Sequence, residues 1–232
     1  HSITDQTQGN WNGIVGKIEL QSTPEVFFED IQVYPDLAGK KALVRMNVRA
    51  SSSAKGEIAL SARSFNTNVN HEIAPVYQTV TVRKGDNPLE MELPMGQNFL
   101  TWDEFSPALY RLTATLKNGK QIETKQVQFG MREFTINGKW FYVNGRKTML
   151  RGTVENCDFP LTGYAPMDVA SWERVFRICR SYGLNHMRFH SFCPPEAAFI
   201  AADLVGFYLQ PEGPSWPNHG PKLGNELSNS MK

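Results

Sequence analysis

The sequence predicts a multidomain β plus α/β fold, with an immunoglobulin-like β-sandwich followed by the first strands and helices of a TIM (β/α)8 barrel. Two observations predict this fold class. Residues 23–131 consist of short alternating segments separated by turn residues, a pattern typical of an all-β domain. In residues 132–232, apolar strands alternate with helical periods. This spacing requires parallel strand pairing and right-handed crossovers.

The sandwich is predicted from seven segments in which apolar and polar residues alternate. They are residues 26–34, 42–48, 57–63, 76–82, 89–93, 109–116 and 121–129. Asn118-Gly119, between the last two, is a strong hairpin signal. Seven strands in about a hundred residues are typical of an immunoglobulin-like sandwich. Trp102 and Tyr110 are predicted to pack in or over its core.

The pattern changes in the second part of the chain. Residues 134–143 and 147–150 are predicted strands, joined at Asn144-Gly145. Apolar residues then recur with helical period between Asp168, which suits an N-cap, and Gly183, which suits a C-terminal stop. This segment is therefore predicted to be a helix that follows a strand.

A second strand, helix and strand follow. The strands are predicted at residues 184–189 and 207–209, and the helix is opened by Pro194-Pro195 and ended by Gly206. We therefore predict three parallel neighbouring segments, residues 147–152, 184–190 and 206–211. Charged residues gather after these strands, as they do where a barrel builds an active site.

Composition limits the classes of partner. The 232 residues are 41% hydrophobic and 20% charged, which suits a globular protein with a sizeable core. With a net charge of +1 and no long run of one sign, neither nucleic acid nor a membrane is expected as a partner. No apolar run approaches a membrane span, and the N-terminus lacks a signal-peptide pattern.

Four segments resemble glycoside hydrolase family 2, the group of β-galactosidases, β-glucuronidases and β-mannosidases. They are Phe129–Phe134, similar to an F-G-x-R passage; Phe141–Gly152, similar to the first barrel strand; Asn185–His190, similar to the second; and Gly206–Glu212, similar to the third. The resemblance implies that residues 1–22 are the last strand of a preceding jelly-roll sugar-binding domain. It also implies an extracellular or periplasmic location.

The resemblance further implies a retaining mechanism, in which two glutamates act at the ends of barrel strands four and seven. The chain ends after strand three, so neither catalytic residue is expected and the segment alone is expected to be inactive. Gly224-Asn225-Glu226 spells the acid/base motif but follows Glu212 too closely for a parallel crossover. We interpret it as a polar loop or tail.

The segments also depart from the family pattern. Thr153–Asp158 replaces the usual x-N-x-H-E after the first strand, and His190–Pro195 replaces S-H-Y-P after the second. Both differences fall in the expected sugar pocket. β-Galactosidase specificity is therefore not carried over to this chain.

Six residues are candidates for contact with a carbohydrate substrate: Arg188, His190, Glu212, Asn156, Asp158 and Trp216. Arg188 and His190 alternate on one strand and point the same way. The alternative for them is a buried ion pair with Glu212 or Asp158. Glu212 suits a structural partner of Arg188 as well as sugar contact. Asn156 and Asp158 fit a pocket wall or a solvated loop, and Trp216 fits sugar stacking or loop packing.

No cofactor or metal is predicted. His190 with Cys157 and Cys193 matches no strong zinc spacing, and His186 is expected to be a core histidine. Two rival hypotheses remain: a non-catalytic carbohydrate- or partner-binding sandwich, and a metal-dependent hydrolase that uses His186 and His190. An open barrel would expose apolar faces, so self-association or a partner chain is expected to cover it.

Overall fold

The computed structural model describes Gly16 and residues 18–213. Residues 19–149 form one compact unit, and residues 150–213 belong to a second. The sequence predicts a boundary at residues 131/132, whereas residues 132–149 group with the sandwich. Residues 1–22, expected to be the last strand of a preceding domain, lie largely outside the described residues, and Trp216 and Glu226 lie outside them entirely. In the described part, no helix is long and apolar enough to cross a membrane.

The first unit contains the predicted β-sandwich. Its strands are β1 (Val26–Asp36), β2 (Lys41–Ala50), β3 (Ala54–Phe65), β4 (Glu72–Val82), β5 (Gly85–Pro94), β6 (Leu109–Asn118) and β7 (Gln121–Phe129). They form two antiparallel sheets, β1-β2-β5 and β4-β3-β6-β7. Each predicted alternating segment overlaps one of these strands, because one side chain in two enters the shared core.

Tyr110 and Trp102 are buried, as predicted. The Tyr110 ring stacks on Phe129 with ring centroids 5.5 Å apart, and its hydroxyl accepts the Leu100 N–H at 2.8 Å. The same hydroxyl lies 2.7 Å from Nδ1 of His71. Tyr110 therefore ties β6 to the segment that follows β5, while burying a large apolar ring.

The predicted β6–β7 hairpin is present, but its loop is shifted by one residue. Asn118 pairs with Gln121, so the two loop residues are Gly119 and Lys120. Gly119 has φ of +58°, which suits glycine at the first central position of a type II′ turn. The Asn118-Gly119 pair therefore predicts the hairpin correctly but not its register.

A small antiparallel sheet follows the sandwich, in the order β10-β9-β8. Its strands are β8 (Phe134–Asn137), β9 (Trp140–Val143) and β10 (Arg146–Thr148). The predicted strand at 134–143 is thus two strands. Asn144 and Gly145 both have positive φ, the conformation of a type I′ turn that returns the chain onto β9. β10 therefore pairs antiparallel with β9, and its assignment to the parallel sheet is wrong.

The second unit contains strand, helix, strand, helix and strand. These are β11 (Gly152–Glu155), α1 (Val169–Ser181), β12 (His186–Phe189), α2 (Glu196–Val205) and β13 (Tyr208–Pro211). β12 lies between β11 and β13, and both pairings are parallel. The prediction of three parallel neighbours is confirmed, with the first strand starting at Gly152 rather than residue 147.

The ends of α1 and α2 follow local sequence signals. Asp168 caps α1 by accepting the Ser171 N–H at 2.8 Å. Gly183 and Gly206, just after the two helices, have φ of +78° and +75°. A left-handed residue at a helix end favours glycine. The two helices cover one face of the parallel sheet, where Trp172, Phe176, Met187, Phe189, Ala198, Ala201 and Phe207 share a core.

Candidate functional site

The two faces of the parallel sheet differ in character. Met187 and Phe189 of β12 are buried in the core shared with the helices. Arg188 alternates with them and lies on the opposite face, beside Val154 of β11 and Gln210 of β13 in the strand register. Polar side chains thus lie on the face away from the helices and at the carboxyl ends of the strands.

Arg188 and Glu212 form an ion pair at these strand ends. Nε of Arg188 lies 2.5 Å from Oε1 of Glu212, and the Ser191 N–H donates to Oε2 at 2.9 Å. The hydrogen bond from Arg188, followed by that from Ser191, lowers the pKa of Glu212. The two side chains are 38% and 28% exposed. The predicted pairing is present, but it lies at the rim and is not buried.

The carboxylate of Glu155 organises the loop after β11. Its Oε2 accepts the Cys157 N–H at 3.0 Å, and its Oε1 accepts the Asp158 N–H at 3.4 Å. The Glu155 carbonyl accepts the His190 N–H at 2.9 Å. Burial raises the pKa of Glu155, against the effect of these N–H groups. The sequence does not indicate this role of Glu155.

Asn156 and His190 meet across the two loops. Oδ1 of Asn156 lies 3.1 Å from Nδ1 of His190. Asp158 has an exposed side chain, and its backbone is fixed by Glu155. The structure thus brings Asn156 and His190 into direct contact, and it places Asp158 on the same loop as Asn156. These groups offer both hydrogen-bond donors and acceptors.

Two backbone positions beside this cluster are conformationally unusual. Cys157 and Ser191 have φ of +60° and +62°, a left-handed conformation. For residues with a Cβ this conformation costs about 1–2 kcal/mol. Such positions concentrate at ligand and active sites, where surrounding contacts hold them. The bonds from Cys157 to Glu155 and from Ser191 to Glu212 are such contacts.

His186 lies two residues before Arg188 on β12 and packs against Gly152. A Cβ on Gly152 would lie 2.4 Å from Nδ1 of His186, so a side chain at position 152 would collide with the ring. Burial lowers the pKa of His186. The imidazole fills the space that Gly152 leaves on this face of the sheet, and its burial favours the neutral form.

The cysteines form no disulfide, and the thiol of Cys157 beside this cluster is held in its protonated form. Cys157, Cys179 and Cys193 are all free. Burial raises the pKa of the Cys157 thiol to about 12, so the thiolate is disfavoured at neutral pH. Among residues 18–213, no group of three or more His, Cys, Asp or Glu side chains is arranged to hold a metal ion.

Comparison with known proteins relates this chain to one family. Residues 26–132 match the family model described as glycosyl hydrolases family 2. A β-galactosidase of Oenococcus oeni is 23% identical over 97% of this chain. A putative β-glucuronidase of Formosa agariphila is 26% identical, also over 97%. The chain spans 22% and 30% of the length of these two relatives.

Solved structures show a similar fold. A family 2 glycosyl hydrolase of Bacteroides cellulosilyticus matches with a TM-score of 0.70 and 20% identity, over 82% of this chain and 27% of that one. The β-glucuronidase of Parabacteroides merdae matches with a TM-score of 0.63 and 26% identity, over 82% of this chain and 24% of that one. The resemblance to glycoside hydrolase family 2 is therefore confirmed.

Proposed function

Because the chain is related to glycoside hydrolase family 2, we propose that the whole protein is a retaining glycosidase that cleaves O-glycosidic bonds in poly- or oligosaccharides. This chain supplies the sandwich and part of the sugar subsite. One observation carries the proposal. Polar side chains converge at the carboxyl ends of three neighbouring parallel strands, where (β/α)8 enzymes build their active sites.

The proposed subsite consists of an ion pair at the strand ends and of polar side chains on the loops beside it. The Arg188–Glu212 pair holds the ends of β12 and β13 together and presents charge at the rim. Asn156, Asp158 and His190 lie on the loops beside it and offer hydrogen bonds to sugar hydroxyls. Trp216, outside the described residues, is proposed to stack on a sugar face.

The proposed architecture continues beyond the three strands. β11 to β13 with α1 and α2 are proposed to be the first part of a (β/α)8 barrel. A retaining mechanism uses two carboxyl groups about 5–5.5 Å apart, one as acid/base and one as nucleophile. We propose that other parts of the whole protein supply both, so the isolated chain is inactive. The open sheet edges are proposed to be covered by further chain, by self-association or by a partner, in an extracellular or periplasmic protein.

Hydrolysis of a panel of aryl glycosides by the whole encoded protein tests this function. With the best substrate, Asp158→Asn and Asn156→Ala are expected to lower kcat/KM at least about tenfold, because each removes a charged or polar contact to the sugar. Tyr182→Ser, at an exposed position after α1, is the control and should not change it. A folded whole protein that hydrolyses no glycoside would contradict the proposal.

The alternative function is a non-catalytic carbohydrate- or partner-binding sandwich. A groove on the sandwich, described below, is the observation that favours it. Activity of the whole protein separates the two functions, whereas on either of them the isolated chain should not turn over aryl glycosides. Turnover by the pure chain that is abolished by Glu226→Gln would overturn the assignment of Glu226 to a polar loop or tail.

A further inference from the structure

The outer face of the sheet β4-β3-β6-β7 carries a groove of about 790 Å³. Its lining includes Ser61, Arg63, Phe65, Glu72, Arg111 and Gln126. All of these residues belong to the unit formed by residues 19–149. The groove therefore shares no residue with the cluster at the ends of β11, β12 and β13.

A β-bulge shapes one wall of the groove. Leu60 pairs with Val76 and Ala62 pairs with Ile73, so Ala74 and Pro75 together face the single residue Ser61. An extra residue in one strand bends that strand and increases its twist. β4 is the edge strand of this sheet, and Pro75 offers no N–H for further strand pairing. The bent edge, with Ala74 and Pro75, lines the groove.

The floor of the groove is polar. Ser61, Thr113 and Gln126 lie in one row across β3, β6 and β7. Their chain neighbours Leu60 and Leu112 are buried in the sandwich core, so this row faces outward. Nε2 of Gln126 donates to Oγ1 of Thr113 at 3.3 Å. Hydroxyl and amide groups in a row match the alternating donors and acceptors of a sugar ring.

A restrained cation lies at one end of the groove. The Arg111 guanidinium lies over the Phe65 ring, 4.8 Å from its centroid. Stacking restrains the guanidinium plane without using its N–H donors, which remain suited to a carboxylate. Arg63 pairs with Glu72 at 3.3 Å. The lining thus holds two arginines and one glutamate, and its charge favours an anion.

We propose that this groove binds an acidic oligosaccharide, with a sugar carboxylate paired to Arg111 and sugar hydroxyls bound along the row Ser61, Thr113 and Gln126. The volume is within the range of about 300–1,000 Å³ for small-molecule sites. The occupant is acidic because Glu72 pairs with Arg63 and leaves the charge of Arg111 in excess, and it is a carbohydrate because of the polar row beside an aromatic ring. The site is separate from the proposed catalytic subsite, and it does not depend on glycosidase activity.

Binding of trigalacturonate to the full chain, measured by calorimetry, tests the proposal. Trigalacturonate should bind, whereas the neutral trisaccharide maltotriose should bind at least about tenfold more weakly, because it lacks the carboxylates that pair with arginine. Arg111→Gln should weaken trigalacturonate binding by a similar factor. Arg45→Gln is the matched control, since Arg45 also stacks on a ring, that of Tyr34, but on the other sheet.

Three results would overturn the proposal. They are no binding of trigalacturonate at about 10 mM, equal binding of maltotriose, and binding that Asp158→Asn removes but Arg111→Gln leaves unchanged. The last result would place the sugar at the strand-end cluster and support the glycosidase subsite instead. If Arg111→Gln does not fold, amide chemical shifts of the unmodified chain decide. Trigalacturonate should shift the signals of Ser61, Thr113 and Gln126.

Discussion

The two units of this molecule differ in whether side chains bind the backbone groups of their edge strands. In the sandwich, side chains of the edge strand β7 bind backbone groups of the edge strand β1. Gln121 donates to the Val26 carbonyl at 2.7 Å, and Glu123 accepts the Phe28 N–H at 2.9 Å. Lys125 donates to the Glu29 carbonyl at 2.8 Å. These bonds satisfy backbone groups that would otherwise be open to another strand.

The parallel sheet has no comparable closure in the part of the chain that the structure describes. β11 and β13 are its two edges, and neither pairs with a further strand within residues 18–213. Its face away from the helices carries Arg188 and the 48% exposed Val154. The β1 and β7 edges of the sandwich are therefore bridged by side chains, whereas the candidate catalytic subsite lies on the sheet whose edges have no such bridge among the described residues.

The largest predicted effect is on the core of the parallel unit. Trp172 is buried, contacts Phe176 and Phe189 and donates its indole N–H to the Pro166 carbonyl at 2.8 Å. We expect Trp172→Ala to lower the free energy of unfolding by about 3–5 kcal/mol, because it leaves a large cavity in a small core. Hydrogen exchange of amides in α1 and α2 measures it. Tyr182→Ala, at an exposed site, is the control, and an unchanged exchange rate in Trp172→Ala would contradict the prediction.

The same contrast explains what the sequence could predict. The sandwich strands could be predicted because each has one buried and one solvent-exposed face, so that apolar and polar residues alternate in the sequence. The helix α1 was found because Asp168 and Gly183 mark its ends. β10 has only three residues, all polar, so its sequence shows no alternation and does not distinguish pairing with β9 from pairing with a parallel partner. Its misassignment moved the first parallel strand to residue 147.

The candidate site was predicted only in part. The contact of Arg188 with Glu212 follows from the order of the parallel strands, which the sequence indicates. Glu155 accepts the N–H of Cys157, whose backbone is left-handed. Glycine and asparagine are the residues that usually indicate this conformation, and neither occupies position 157. The groove on the sandwich depends on a bulge opposite Ser61. Such local departures from regular geometry leave little signal in a single sequence.

An intermediate effect is predicted where β11 approaches β12. Gly152→Ala places a methyl group at the position 2.4 Å from Nδ1 of His186. The ring or the strand must move, and we expect a loss of about 1–3 kcal/mol in the free energy of unfolding. The double variant with His186→Ala should lose less than the sum of the two single variants, because the collision is gone. Urea unfolding of the unmodified chain, the two single variants and the double variant measures this coupling. If the losses in the free energy of unfolding are strictly additive, the two residues do not collide.

The smallest predicted effect is on how the free energy of unfolding depends on pH, which should differ in sign between Glu212 and Glu155. The pKa of Glu212 lies below its ordinary value of 4.5, because Arg188 and Ser191 bind its ionised form. Its stabilising contribution is therefore complete above pH 4.5 and is lost as pH falls through the lowered pKa. The pKa of Glu155 lies above 4.5 because of burial. The folded state therefore binds this proton more tightly, and stability falls as pH rises from 4.5 through the raised pKa.

Urea unfolding between about pH 3 and pH 7 measures both contributions, as the difference between the unmodified chain and Glu212→Gln or Glu155→Gln. Relative to its glutamine variant, the unmodified chain should become less stable on acidification for Glu212 and more stable for Glu155. Each variant serves as the control for the other, since both carboxylates accept backbone N–H groups. The same sign for both would mean that burial does not dominate at Glu155. Its carboxylate would then hold the loop in the same way as Glu212 holds Ser191, by its charge.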